Sequence, residues 1–383
     1  MLALALALSY TKILGVEKRS ILAFVMVSAL ILTVIFTSGI SLALRNKPSP
    51  SIKNEELIGY LILISILSLI VGLINCLLLL VYSHLKSPIP MPLYIVCFIY
   101  SVLACVNLGF QDALIASGSL KIATIFDLVT IIIQIFALVF FVDIAKTSLI
   151  VSVFVSFIFS YSLISFATGS IFLNGFPAHK TSIKDGIQTI LVQSKNQHMF
   201  GIANGLVDRV DRFLIGLILP IAFLAKYALL SSIISFARFL PDSIVKMSLL
   251  KHHKGGSASS ISYTSRGKIF VLLAAITSVG LAQAFIYFTF GSNWQLPIFV
   301  ALLLVVQEIL RGNYQLKATK LIAIGGRAVM SKLSGRLIVL SVLLIASATH
   351  LFGVWGAPLA MVITYLVLTF SVEKELQKYN NAC

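Results

Sequence analysis

Apolar runs of roughly twenty residues, hydrophobic on every side, alternate with short polar connections along the whole chain. They cover approximately 2–15, 20–43, 56–83, 91–115, 121–142, 147–174, 197–220, 226–248, 268–290, 294–312, 333–350 and 353–372. A hydrocarbon core leaves unpaired backbone groups unsatisfied, so such runs predict helices, one per crossing. A transmembrane barrel needs ten-residue alternating segments, and stretches such as 57–80 show no alternation. The expectation is an all-α polytopic protein with about twelve spans in two six-helix halves. Residues 1–175 form an N-terminal lobe, 176–196 a cytoplasmic linker, and 197–383 a C-terminal lobe with a short tail. The linker carries Lys184, Asp185 and Gln188 among Ile183, Ile187, Ile190 and Leu191, the pattern of an amphipathic helix lying along a membrane surface. The first span is short for a bilayer, so it is either tilted by its neighbours or extended by residues upstream. Its start lacks a basic region and a small-residue cleavage site, which argues against a cleaved signal peptide.

Composition agrees with this pattern. Of 383 residues, 59% are hydrophobic and only 11% charged, with a mean hydropathy of +1.03. Soluble chains carry about 25% charged residues to hydrate their surface. Cys76, Cys97, Cys105 and Cys383 have neither metal-binding nor redox spacing and read as small hydrophobes. The loop KHHKGGSASSISYTSRGK (251–268) holds His252 and His253 without a convergent acid or cysteine, so it reads as a basic surface loop.

Charge orients the spans, because Lys and Arg collect in cytoplasmic loops. With both termini cytoplasmic, 19 of the 29 cations fall in inner connections and the tail. Six fall outside: Lys12, Lys18, Arg19, Lys86, Lys146 and Lys226. The net charge of +16 then reflects topology and contact with anionic inner-leaflet lipid, not nucleic-acid binding. A bacterial plasma membrane is the expected location. The short outer connections leave no room for a large extracytoplasmic catalytic loop.

The other four cations lie inside spans, where ionisable groups are costly and normally face a cavity or a partner. Span seven reads GLVDRVDRFLIG and places Asp208, Arg209, Asp211 and Arg212 within five residues. As a continuous helix it would put Asp208, Asp211 and Arg212 on one face. Span eight carries Arg238, Asp242 and Lys246 at four-residue spacing, with Pro241 kinking the helix. Together these spans hold one cation more than they hold acids. Asn75, Asn107, Gln111, Asp112, Asp127 and Gln134 are the polar positions of the N-terminal half. Asp127 reads equally well as a helix-end carboxylate beside a basic loop and as an ion-coupling group. Glu308 and Arg311 read as a structural pair near the inner interface. Tyr227, Trp355 and Tyr365 read as interface anchors or packing groups. Gly353 and Gly356, with Ala357 and Ala360, predict close contact between the last two spans.

Four fragments carry a resemblance: TKILGVEKRSILAF near the start, GFQDALIASGSLKIATIF, DRFLIGLILPIAFLAKYALLSSI, and THLFGVWGAPLAMVITYLV near the end. Taken in order, they resemble the polysaccharide-exporter (lipid-linked oligosaccharide flippase) branch of the multidrug, oligosaccharidyl-lipid and polysaccharide export (MOP) superfamily. The resemblance implies two pseudo-symmetric, MATE-like lobes around a cavity opened alternately to either side. It also implies a cargo, an isoprenoid-diphosphate-linked oligosaccharide turned to the outer leaflet for O-antigen, capsule or exopolysaccharide synthesis. A polysaccharide polymerase of the same pathway is a conceivable partner, and a monomer is expected. The chain departs from the family at its short first span. It also lacks the extra pair of spans usual in the peptidoglycan-precursor branch.

On this reading Arg209, Arg212, Arg238 and Lys246 bind the head group. Asp208, Asp211, Asp242 and Asp127 couple to ions, with no cofactor beyond a proton or sodium gradient and no bond broken. Three competitors stay open: a MATE-like exporter of small molecules or drugs, a polytopic polysaccharide polymerase, and a non-transporting scaffold whose charges balance locally.

Overall fold

The computed structural model describes residues 2–45, 54–86, 88–144, 148–175, 183–195, 197–207, 209–235, 265–324 and 326–382. Among them no strand forms, and the helices follow the predicted spans, with a further helix at 183–194 and span eight described only as far as residue 235. The first two spans form α1 (Leu2–Arg45), broken at Gly15. Next come α2 (Asn54–Leu85), α3 (Met91–Ala116), α4 (Leu120–Val139), α5 (Leu149–Gly175), α6 (Ile183–Ser194) and α7 (His198–Val207). After them come α8 (Val210–Ile218), α9 (Ile221–Ile234), α10 (Ser265–Phe290), α11 (Ile298–Ala323), α12 (Arg327–Phe352) and α13 (Gly356–Ala382). Six helical segments of the described residues are long and apolar enough to cross a membrane, so the chain is a multi-pass membrane protein. Arg238, Pro241, Asp242, Lys246 and the loop with His252 and His253 lie outside the described residues.

The chain divides into two compact units, Met1–Arg209 and Val210–Cys383. In the first, α1 packs on α2 and α3, and α5 packs on α3 and α4. Its outer faces are apolar: Ile66, Leu69, Leu73, Leu77 and Leu80 of α2 are exposed, as are Ile125, Leu128, Ile132 and Phe136 of α4. Their three- and four-residue spacing makes continuous stripes suited to lipid. The polar groups turn inward instead. Buried Asn75 accepts a hydrogen bond from Ser28 of α1 and donates one to Ser101 of α3 at 2.7 Å, tying three helices together.

The turn that splits α1 depends on Gly15, whose φ of 70° and ψ of 179° fall in a region essentially restricted to glycine. No atom lies within 4 Å of a Cβ placed there, so the constraint is purely conformational. Gly15→Ala should therefore cost about 1–3 kcal/mol, read as a lower unfolding temperature of the purified protein in detergent. Across the turn, the Arg19 Nε donates to Thr11 Oγ1 at 3.2 Å. Arg19 is buried, not the exposed loop cation that its sequence position implies, because the turn folds its helix back onto Thr11.

The amphipathic α6, within the predicted connection 176–196, is part of the first unit. It packs on α2 and α1. A Cβ on Gly186 would sit 2.2 Å from the carbonyl oxygen of Glu55, and one on Gly59 would sit 2.8 Å from the Ile187 nitrogen. Two glycines thus let the backbones meet, burying Ile190 against protein while Leu191 and Val192 stay exposed. The next helix, α7, follows the same rule. Gly201 and Gly205, four apart, meet Ser38 and Val34 of α1, and Gly39 of α1 meets His198, so small residues again set a close helix approach.

In the second unit, α13 packs on α11 and α12, while α9 packs on α8, α10 and α11. The expected close contact of the last two spans is present, and it involves backbone. A Cβ on Gly356 would lie 1.8 Å from the carbonyl oxygen of Ala348. Tyr365 is buried and stacks near Tyr314 with ring centroids 6.1 Å apart, while Trp355 is partly exposed beside Phe299.

Candidate functional site

Span seven is not the continuous helix that its charge spacing suggested. α7 ends at Val207 and α8 begins at Val210, with Arg209 in a turn whose amide donates to the Leu206 carbonyl at 2.9 Å. Asp211 and Arg212 therefore belong to a helix of their own that starts at Val210. Asp208 lies outside the described residues. The Arg209 guanidinium folds back and donates to the Gly205 carbonyl at 2.8 Å, capping the end of α7 in the first unit, where cations suit the negative end of the helix dipole.

Asp211 and Arg212 open α8 in the second unit and form the core of its polar cluster. Asp211 is 2% exposed. Its Oδ2 accepts from the Tyr227 hydroxyl at 2.8 Å, and its Oδ1 accepts from the Arg212 amide at 2.7 Å. A carboxylate in the first turn of a helix is also favoured by the exposed amides and dipole there. The Arg212 Nη2 donates to Ser231 Oγ at 2.7 Å, while its buried Nε has no hydrogen-bond partner among the described residues. Asp211, Arg212 and Glu308 all act electrostatically on the Tyr227 hydroxyl, so α8, α9 and α11 converge there. Arg311 pairs with Glu308 at 3.6 Å, and both are buried. Beside them, the buried Gln307 Oε1 has no partner among the described residues.

Of the two roles open to Tyr227, interface anchor or packing group, the second holds: it is fully buried and its hydroxyl donates to a carboxylate. Glu308 and Arg311 lie mid-helix in α11, not at its end, because the helix runs on to Ala323 through Gln315, Lys317 and Lys320. Lys226 likewise sits inside α9, since a single Pro220 turn joins α8 to α9.

The first unit holds a separate polar cluster. Arg45, at the end of α1, pairs with Asp112 of α3 at 3.3 Å. The Ser41 hydroxyl of α1 lies 2.9 Å from that of buried Tyr60. Gln111 donates to Asp127 of α4. Asp127 is exposed at its helix surface. Of the eight residues singled out by sequence, Asp211 and Arg212 come together with one another. Arg209 and Asp127 belong to the other unit, in different places. Arg238, Lys246, Asp208 and Asp242 lie outside the described residues. Tyr227, Ser231 and Arg45 are the additions, and only the alternation of polar residues in otherwise apolar runs could have flagged them.

No protein-family model and no curated protein matches the chain. Solved structures do match it over nearly its full length. An inward-facing multidrug resistance MATE family transporter of the MOP superfamily aligns with a TM-score of 0.68 at 14% identity, covering 99% of this chain and 95% of that one. Lipid II flippase MurJ in an inward closed conformation aligns with a TM-score of 0.72 at 12% identity, covering 98% and 85%. The Vibrio cholerae MATE transporter VcmN in its bent form gives 0.57 at 13% identity, covering 98% of each chain. The chain therefore has the membrane fold of the MOP-superfamily transporters.

Proposed function

We propose that this chain is an ion-coupled membrane transporter working by alternating access, and that its cargo is a lipid carrying an anionic diphosphate head group bearing a glycan. The transport reading is supported by full-length likeness to multidrug exporters and to a lipid II flippase. The head-group reading is carried by one observation: Arg212 is held by a neutral hydroxyl while its buried Nε has no hydrogen-bond partner among the described residues. A buried donor left unsatisfied is costly, and a planar guanidinium can fork two bonds onto a phosphate. An oligosaccharide linked to an isoprenoid diphosphate fits such a group, with its prenyl chain remaining in lipid. Arg209, Arg238 and Lys246 would add positive charge along the path. Protonation or sodium binding at Asp211, or at Asp208, Asp242 or Asp127, would bias the two access states. The plasma membrane of a bacterium, with both termini cytoplasmic, is the setting this cargo requires.

The second reading, export of small molecules or drugs, is favoured by the whole-chain match to multidrug exporters. A single reconstitution separates the two. Protein in vesicles is given either a lipid-diphosphate glycan, scored by leaflet accessibility, or a cationic dye, scored by efflux, with and without an ion gradient. The expected result is gradient-dependent glycan turnover that falls by about tenfold or more in Arg212→Gln, the loss of a charged hydrogen bond, at unchanged membrane abundance. Dye efflux without glycan turnover, insensitive to Arg212→Gln, rejects the head-group reading.

A further inference from the structure

The first unit carries a groove of about 530 Å³ that none of the polar clusters uses. Its walls come from four helices: Phe36 and Ile40 of α1, Leu63 and Leu67 of α2, Leu191 of α6 and Met199 of α7. Phe36 with Ile40, and Leu63 with Leu67, are each four apart, so each pair lines the groove from a single helix face. Leu191 and Met199 at its rim are about half exposed, 46% and 50%. An open trough of this kind, lined by aliphatic and aromatic carbon, offers water few hydrogen-bonding partners.

Polarity enters from one side only. Ser194, Lys195 and His198 line the groove as well, and all three sit where α6 ends and α7 begins. Lys195 is a basic residue and is exposed. The Nδ1 edge of His198 lies over Gly39 of α1, so the ring is seated between α1 and the groove that it lines. α7 also starts at His198, so the positive end of its dipole adds to the same side. The lining contains no carboxylate to neutralise this charge. Glycine contacts to α1 and α2 fix both helices that carry these groups, so the groove is a built feature of the unit.

We infer that this groove is a binding site for an anionic phospholipid, one acyl chain lying along Phe36, Ile40, Leu63, Leu67, Leu191 and Met199 and the phosphate meeting Lys195 and His198. The occupant follows from charge complementarity. A neutral lipid would fill the apolar trough but leave the basic side unmatched, and a free phosphate would leave the trough empty. Anionic lipids are drawn to basic residues next to a hydrophobic surface, and a lysine on a flexible stem can reach a head group from the edge. The inference does not depend on what, if anything, the chain transports.

Native mass spectrometry of the full purified chain, equilibrated with equimolar dioleoyl phosphatidylglycerol and dioleoyl phosphatidylcholine, tests it. A single phosphatidylglycerol adduct should exceed the phosphatidylcholine adduct at least fivefold. In Lys195→Gln/His198→Gln that preference should fall below twofold while phosphatidylcholine binding persists. Lys184→Gln, on an exposed face of α6 outside the groove, should leave it unchanged. Leu67→Trp, which fills the trough, should remove both adducts, with the unfolding temperature confirming that this variant is folded. Equal binding of the two lipids, a preference that survives the double substitution, or displacement of phosphatidylglycerol by an equimolar prenyl phosphate would each overturn the assignment. The last outcome would give the groove to a prenyl cargo, and loss of glycan turnover in Arg212→Gln stands apart from all of them.

Discussion

Gly356→Ala is expected to lower the stability of the protein by about 3 kcal/mol or more, the upper part of the range for overpacking. The added methyl would meet the carbonyl oxygen of Ala348 at 1.8 Å, its carbonyl carbon at 2.2 Å and the Thr349 nitrogen at 2.6 Å. All three are backbone atoms of α12, so no rotamer change relieves the clash. The start of α13 must lift off the end of α12, and the packing that buries Ala357, Ala360 and Met361 is lost with it. Gly280→Ala and Gly335→Ala provide the contrast, because a Cβ at either meets nothing within 4 Å and both lie inside helices. There the substitution should be neutral or stabilise by up to about 1 kcal/mol. Unfolding temperatures of the three variants in one detergent decide the matter. Similar values for Gly356→Ala and Gly335→Ala would mean that the two helices are not in backbone contact.

That helix contact was legible in the sequence because small residues clustered between two apolar runs. Most of the fold was legible for the same reason: a bilayer admits few alternatives, and each run long enough to cross it is written locally. What was not legible is where a helix meets a distant partner or stops. The contacts of Gly59 and Gly186 join residues more than a hundred positions apart, and nothing near either glycine in sequence announces them. The break at Arg209 was hidden by charges whose spacing suits a continuous helix. The mid-helix position of Glu308 and Arg311 was masked because the apolar run ends at Arg311, whereas the helix continues to Ala323. For Tyr227, at a predicted span end, the sequence left anchor and packing group open, and only the α8–α9 turn at Pro220 brings it under Asp211.

Removing the Asp211 carboxylate tests whether this buried cluster is scaffold, switch or both. Asp211→Ala should cost about 2–3 kcal/mol, the upper part of the scale for leaving a buried polar group unsatisfied, since the Tyr227 hydroxyl would lose its acceptor inside protein. Tyr227→Phe should cost about 1–2 kcal/mol, because the carboxylate keeps the Arg212 amide and only one charged hydrogen bond is lost. Combined, the two should cost less than their sum by about 1 kcal/mol, as expected of groups in direct contact. Asp211→Asn separates charge from shape. Its amide oxygen can still accept from Tyr227, so stability should remain within about 1 kcal/mol of the parent, measured by the same unfolding temperatures. If Asp211 also couples ions to transport, the asparagine variant should be folded yet indifferent to an imposed ion gradient, whereas Tyr227→Phe should still respond. A gradient response equal to the parent's in Asp211→Asn would leave the cluster as scaffold alone and move coupling to another carboxylate.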